Sequence, residues 1–174
     1  EKNIEAKDIA DSEMKGLQGG RIFYYGEKKN WWARAGVPSN MPAGEPGGPD
    51  SEMFYEFPQV VHDPAFGPIC HVNCDCGHFI EIGNSVFMEY QKQKNGSFKP
   101  LPQKNVDFGG GLERMLMAVN DQPDVFLTDA FTPITKAIAH LSGKTYVGNE
   151  KNFRIIADHM KAAVMLIADG VIPS

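Results

Sequence analysis

Residues 79–90, FIEIGNSVFMEY, alternate with the period of a β-strand. One face carries Ile80, Ile82, Val86 and Met88 together with a single amide, Asn84. Burying an unpaired amide costs roughly 1–3 kcal/mol, so Asn84 needs a partner: neighbouring backbone, or a polar ligand held in a dry pocket. Asn95-Gly96 is a hairpin signal after this strand. Residues 105–108 then read as a strand running into Gly109-Gly110-Gly111. A helix follows at once, with Leu112, Met115, Leu116 and Val119 at i, i+3, i+4 and i+7. Strands first and helices later predict an α+β fold built on an antiparallel sheet.

The flanking segments fit that plan. Residues 1–20 are polar and end in Gly19-Gly20, as a frayed helix and a turn would, and residues 21–25 read as a short strand. Residues 34–50 hold Pro38, Pro42, Pro46 and Pro49 among four glycines, so no helix runs there and a long loop is expected. Residues 51–57 alternate again, and 58–78 are irregular. Further on, Thr132 is the expected N-cap of a helix with Pro133 at its first position, Phe131, Ile134, Ile138 and Leu141 on its apolar stripe and Gly143 as its stop. A last helix over 152–169 would bury Ile156, Met160, Ala163 and Ile167. Two domains are expected, over residues 1–120 and 121–174.

The charge balance, 17 Lys+Arg against 22 Asp+Glu, gives −5 and no general basic footprint for nucleic acid, though a local one is compatible with it. No apolar run approaches the ~20 residues that span a bilayer, and the N-terminus does not read as a secretory signal, so neither a membrane span nor Sec-type export is expected. Three cysteines so close together make a poor disulfide framework and point to a reducing compartment, the cytoplasm.

Several constellations could carry chemistry. Asp107 precedes three glycines, where a carboxylate can meet a cation or close an Asx turn onto Gly109 or Gly110. Gly109, Gly110 and Gly111 open a helix whose first turn carries Arg114, an arrangement suited to anions, although it is neither a P-loop nor a dinucleotide fingerprint. Trp31-Trp32 is core, or one ring walls a ligand pocket. Cys70, Cys74, Cys76 and His78 offer a Cys3His zinc set at an unusual spacing, or form a reduced, metal-free loop. Glu52 and Glu81 are exposed strand carboxylates, or hold Mg2+ when phosphates are present.

Taken in order, these elements resemble the catalytic core of the alanyl-tRNA synthetases, a family of class II aminoacyl-tRNA synthetases. The resemblance rests on Lys29-Asn30-Trp31-Trp32, Gly-Gly-Pro-Asp-Ser-Glu at 47–52, IEIGNSVFMEY at 80–90, Pro100-Leu101-Pro102, VDFGGGLERM at 106–115 and FRIIADHMKAAVMLIADGVIPS at 153–174. It implies a class II antiparallel sheet with flanking helices, then an α-helical segment that begins the tRNA-recognition region. It also implies activation of L-alanine with ATP and Mg2+ to alanyl-adenylate, and transfer to tRNA(Ala). By the same resemblance GGGLER is class II motif 3, with Arg114 and the Gly109–Gly111 amides on ATP. Asp107 would receive the substrate ammonium, Asn84 would hold alanine, Trp32 would line its pocket, and Glu81 would face the metal or ATP.

The sequence also departs from the family. Gly83 stands where the family usually has Trp, and Glu45-Pro46 and Asp50 stand where it has two cysteines in a shorter loop. Motifs 1 and 2 of the class and an editing domain are not in this stretch, so a fragment, inactive alone, is expected; the whole enzyme could be a homodimer. Two other readings are a non-catalytic synthetase-like module that binds ATP or a partner chain, and a small zinc-stabilised RNA-binding protein built on residues 70–78.

Overall fold

The computed structural model describes residues 8–172. The chain divides into two compact units, residues 1–115 and 116–174. In the first, a four-stranded antiparallel sheet has the order β3-β4-β5-β6: β3 Trp31–Ala33, β4 Pro46–Glu56, β5 Phe79–Lys92 and β6 Phe98–Gly110. Ahead of it, β1 (Asp8–Ala10) pairs in parallel with β2 (Ile22–Tyr24), and a short helix α1 (Ser12–Lys15) lies between them in sequence. A strand at 8–10 is thus found within the segment expected to be helix and turn; residues 1–7 lie outside the described residues.

Two strands are longer than their sequence suggests. β4 begins at Pro46, inside the segment expected to be a loop, and pairs Trp32 with Gly48 and Ala33 with Gly47. Missing side chains allow this. A Cβ on Gly48 would sit 1.7 Å from the Phe87 carbonyl oxygen, so β4 approaches the β5 backbone as only glycine permits. The register with β5 shifts between Gly47 and Asp50, where three β5 residues, 87–89, stand opposite Gly48 and Pro49, so Pro49 falls outside the regular ladder. β6 starts at Phe98 and runs through Pro100 and Pro102. It is an edge strand, where a proline without an N–H leaves no neighbour unpaired. The β5–β6 hairpin turns at Asn95-Gly96, with Gly96 at φ 83°.

The core of this unit is formed by Ala33, Met41, Phe57, Cys74 and Val86. The two tryptophans divide as strand alternation requires. Trp31 packs against Tyr90 and Phe98, whereas Trp32 is 40% exposed.

Helix α2 (Leu112–Val119) follows Gly111, and α3 (Thr132–Ser142) and α4 (Glu150–Ala168) complete the second unit. The expected stripes are displaced. In α2 Met117 is buried while Leu112 and Val119 are exposed. Phe131, not Thr132, occupies the N-cap of α3, because the Thr132 hydroxyl donates back to the Thr128 carbonyl. In α4 the buried residues are Phe153 and Ala157, and Ile156, Met160 and Ile167 are exposed. Apolar side chains occur on several sides of α4, and Phe153 and Ala157, four residues apart, mark the buried one. Asp124 fastens this unit: its Oδ2 accepts from the Tyr146 hydroxyl at 2.6 Å and from Arg154 Nη2 at 2.7 Å. Burial would raise the Asp124 pKa, but Tyr146 and Arg154 outweigh it and hold the carboxyl below its ordinary value.

Candidate functional site

Register gathers the polar side chains onto one face of the sheet. Glu52 pairs with Asn84, and Asn84 with Gly109, so these three form a row across β4, β5 and β6. The next row is Asp50, Val86 and Asp107. Above these rows lie two adjoining cavities that share Trp32, Glu52, Glu81 and Asn84. The larger, of about 520 Å3, is lined also by Lys29, Asp50, Val72, Asn73, Cys74, Asp75 and Arg114. The smaller, of about 440 Å3, is lined by Val86, Asp107, Gly109, Gly110 and Gly111.

Of the residues expected in a substrate site, Trp32, Glu52, Glu81, Asn84, Asp107, Gly109, Gly110, Gly111 and Arg114 all border this cleft. Asn84 Nδ2 donates to Asp50 Oδ2 at 2.9 Å. That leaves Asn84 Oδ1 and Asp50 Oδ1 buried and without a hydrogen-bond partner among the described residues. Two orphaned acceptors cost stability and fit a donor brought in from outside. Nothing in a Gly/Pro segment signals a strand, so the sequence does not mark Asp50 as a site residue; only the pairing with Val86 puts it beside Asn84. Asp107 Oδ1 accepts from the Phe108 N–H at 2.9 Å, not from Gly109 or Gly110 as in the Asx-turn alternative. Gly109 and Gly110 are part of β6, not of a loop, and a Cβ on Gly109 would meet nothing within 4 Å. Gly83, where the family usually carries a large ring, lies beneath another: a Cβ there would come within 2.9 Å of Phe108 Cζ.

Charge in the cleft is unevenly balanced. Arg114 Nη1 binds Glu81 Oε2 at 3.0 Å and the Glu81 carbonyl at 3.2 Å. Among the described residues Glu52 has no such fixed partner, and burial, then the charges of Glu81 and Asp50, push its pKa up to about 7. A carboxyl with a raised native pKa gives stability that is complete below its ordinary value, here 4.5, and is lost as pH rises to about 7. Glu52→Gln is therefore expected to stabilise the protein at pH 8 by about 1–2 kcal/mol after allowance for solvent screening, and to change little at pH 4.5. Urea midpoints at the two pH values check this; equal increments at both would contradict it.

The cysteines lie beside the cleft, in the connection between β4 and β5. Cys70, Cys74 and Cys76 are joined by His62: one ligand atom from each of the four lies within 4.8 Å of every other. His78, expected as the fourth member, lies elsewhere, with Nδ1 bonded to the Val60 carbonyl and Nε2 3.3 Å from Glu56 Oε1. His71 Nδ1 meets the Tyr25 hydroxyl at 3.1 Å. Burial pushes the Cys70 thiol up to about 12, with Cys76 adding to the effect. Burial opposes ionisation of Cys76 too, but hydrogen bonds from His62 and the neighbouring thiols bring it down to about 7.

An α+β unit whose antiparallel sheet bears a polar cleft on one face has the arrangement of a class II synthetase domain. The family model described as tRNA synthetases class II (A) matches residues 1–174, and the chain belongs to that family. It is similar to the alanine–tRNA ligases of Treponema denticola (41% identical over 162 residues, 90% of this chain and 25% of the relative) and Desulfosudis oleivorans (40% over 166 residues, 91% and 18%). A third relative, the alanine–tRNA ligase of Petrotoga mobilis, is 35% identical over 179 residues, covering 100% of this chain and 19% of its own length. The chain thus spans a quarter or less of these relatives. Among the described residues, no helix is long and apolar enough to cross a membrane.

Proposed function

We propose that these residues belong to an alanine–tRNA ligase of the cytoplasm, which joins L-alanine to ATP as alanyl-adenylate and passes the alanyl group to the 3′ end of tRNA(Ala). A carboxylate oxygen of alanine attacks the α-phosphorus, the bond to the bridging oxygen breaks, and pyrophosphate leaves. No side-chain nucleophile takes part, so the protein contributes placement and charge. Residues 1–120 form part of the catalytic domain for this chemistry, and 121–174 begin the tRNA-recognition region. Asp107, Asn84 and Asp50 hold the ammonium end of alanine, and Trp32 walls its pocket. Gly109, Gly110 and Gly111 leave space for the nucleotide, whose phosphates meet Arg114. The oxygen-rich pair Glu52 and Glu81 suits Mg2+, which when bound neutralises phosphate charge.

The observation that carries this reading is the pair of orphaned acceptors, Asp50 Oδ1 and Asn84 Oδ1, in the cleft that also receives Asp107 and Arg114. A buried acceptor set beside a glycine-lined cavity and a cation suits a ligand with an ammonium at one end and phosphates at the other. The test is amino-acid-dependent exchange of pyrophosphate into ATP by the full-length protein. Exchange driven by alanine in preference to serine and glycine is expected; no exchange with alanine would overturn the proposal.

A further inference from the structure

The connection between β4 and β5, residues 57–78, has almost no regular structure beyond one turn of 3-10 helix, Pro64–Phe66. Such a segment needs something to fix it, yet Cys74 within it is 5% exposed. Its thiols and His62 converge without a disulfide: Cys70 Sγ and Cys76 Sγ are 3.8 Å apart, and Cys74 Sγ is 3.6 Å from His62 Nδ1. A tetrahedral zinc with Zn–S of ~2.3 Å and Zn–N of ~2.0–2.1 Å has ligand–ligand edges of about 3.5–3.8 Å. Those edges match the two separations.

His62 is also oriented as a ligand. Its Nε2 is 2.8 Å from the Gly67 carbonyl, an acceptor, so that nitrogen carries the proton and Nδ1 turns its lone pair to the thiols. Both nitrogens of His78 are engaged outside the cluster, which leaves it no part in the set.

We infer that Cys70, Cys74, Cys76 and His62 form a closed structural zinc site that fixes the β4–β5 connection as a wall of the cleft. Three soft thiolates and an imidazole select zinc over Mg2+ or Ca2+, and four protein ligands leave no position open for a substrate. Zinc displaces the thiol protons to solvent on binding. The wall it holds is the run Val72, Asn73, Cys74 and Asp75, which lines the larger cavity. Such a site tethers a long connection whose closure entropy the small core must otherwise meet.

The experiment is metal analysis of the full-length protein beside its Cys76→Ser, His62→Ala and His78→Ala variants, which reads the site without any catalytic assay. Cys76→Ser is expected to lose about one zinc per chain relative to wild type, and His78→Ala none. Should a variant fail to fold, the wild type alone decides. Thiol labelling read by peptide mass spectrometry is expected to leave Cys70 and Cys76 unmodified until a chelator removes the metal, with cobalt substitution giving a thiolate charge-transfer band. Equal zinc in wild type and Cys76→Ser, zinc lost from His78→Ala but kept in His62→Ala, fast labelling of native Cys70 and Cys76, or a Cys70–Cys76 disulfide would each overturn the inference.

Discussion

Asp107→Asn in the full-length protein is expected to raise the KM for alanine roughly 10- to 150-fold while the KM for ATP stays within about threefold. The range is the loss of a charge-assisted bond of roughly 1.5–3 kcal/mol, at about tenfold per 1.4 kcal/mol. The carboxylate suits that duty: it borders the smaller cavity and accepts from the Phe108 amide. Asn keeps the shape and the bond from Phe108, so stability should hardly change, which separates a lost ligand contact from a lost fold. Arg114→Ala should do the reverse, raising the KM for ATP above that for alanine, because Arg114 stands at the helix start beside the glycines. Steady-state pyrophosphate exchange with each substrate varied in turn measures both, and an unchanged KM for alanine in Asp107→Asn would remove Asp107 from the site.

The largest effect on stability is expected at Gly48. Its replacement by Ala puts a methyl group 1.7 Å from the Phe87 carbonyl oxygen, 2.8 Å from the Phe87 carbonyl carbon and 3.1 Å from the Glu89 nitrogen. All three are backbone atoms of β5, the central strand that pairs with β6, so no side chain can swing aside. Moving β4 off β5 here would push it against β3, where Gly48 pairs with Trp32. A cost of about 3–5 kcal/mol is expected, at the upper end for single substitutions. Gly109→Ala is the control, since nothing lies within 4 Å of its Cβ. It should change the urea midpoint little while crowding the smaller cavity and weakening nucleotide binding. Similar stabilities for Gly48→Ala and wild type would contradict the close approach of β4 to β5.

How much of this was legible in the sequence depended on whether the signal was local. β5, the Asn95-Gly96 hairpin and the helix after Gly111 each announce themselves through periodicity or turn chemistry within a few residues. The start of β4 does not, because Pro46, Gly47, Gly48 and Pro49 read as a loop; the strand forms for a tertiary reason, the closeness of the β5 backbone. β6 hides its first half behind Pro100 and Pro102, which only an edge position tolerates. In α4 the expected stripe failed because apolar residues lie on several sides, and the side that is buried carries Phe153, edge-on to Tyr146, and Ala157.

The site shows the same division. Asn84 was conspicuous as a lone amide among aliphatic neighbours, and its placement beside Asp107 and Gly109 follows from the strand register. Asp50 was not visible, because its position depends on a bulge that no local pattern specifies. Among the histidines, sequence distance favoured His78, two residues from Cys76. His62 is eight residues from Cys70, yet the turn through Pro64 and Gly67 brings it back to the thiols.

The central claim, that one face of this sheet holds alanine and ATP together, is tested most directly by hydrogen–deuterium exchange of the full-length protein with and without a non-hydrolysable alanyl-adenylate analogue. Slowed exchange is predicted in peptides covering residues 30–33, 50–53, 83–86 and 107–114, the segments that carry the proposed alanine and ATP contacts. The second unit, residues 116–174, should change little. Protection confined to other regions at saturating analogue, with these four segments unaffected, would contradict the claim.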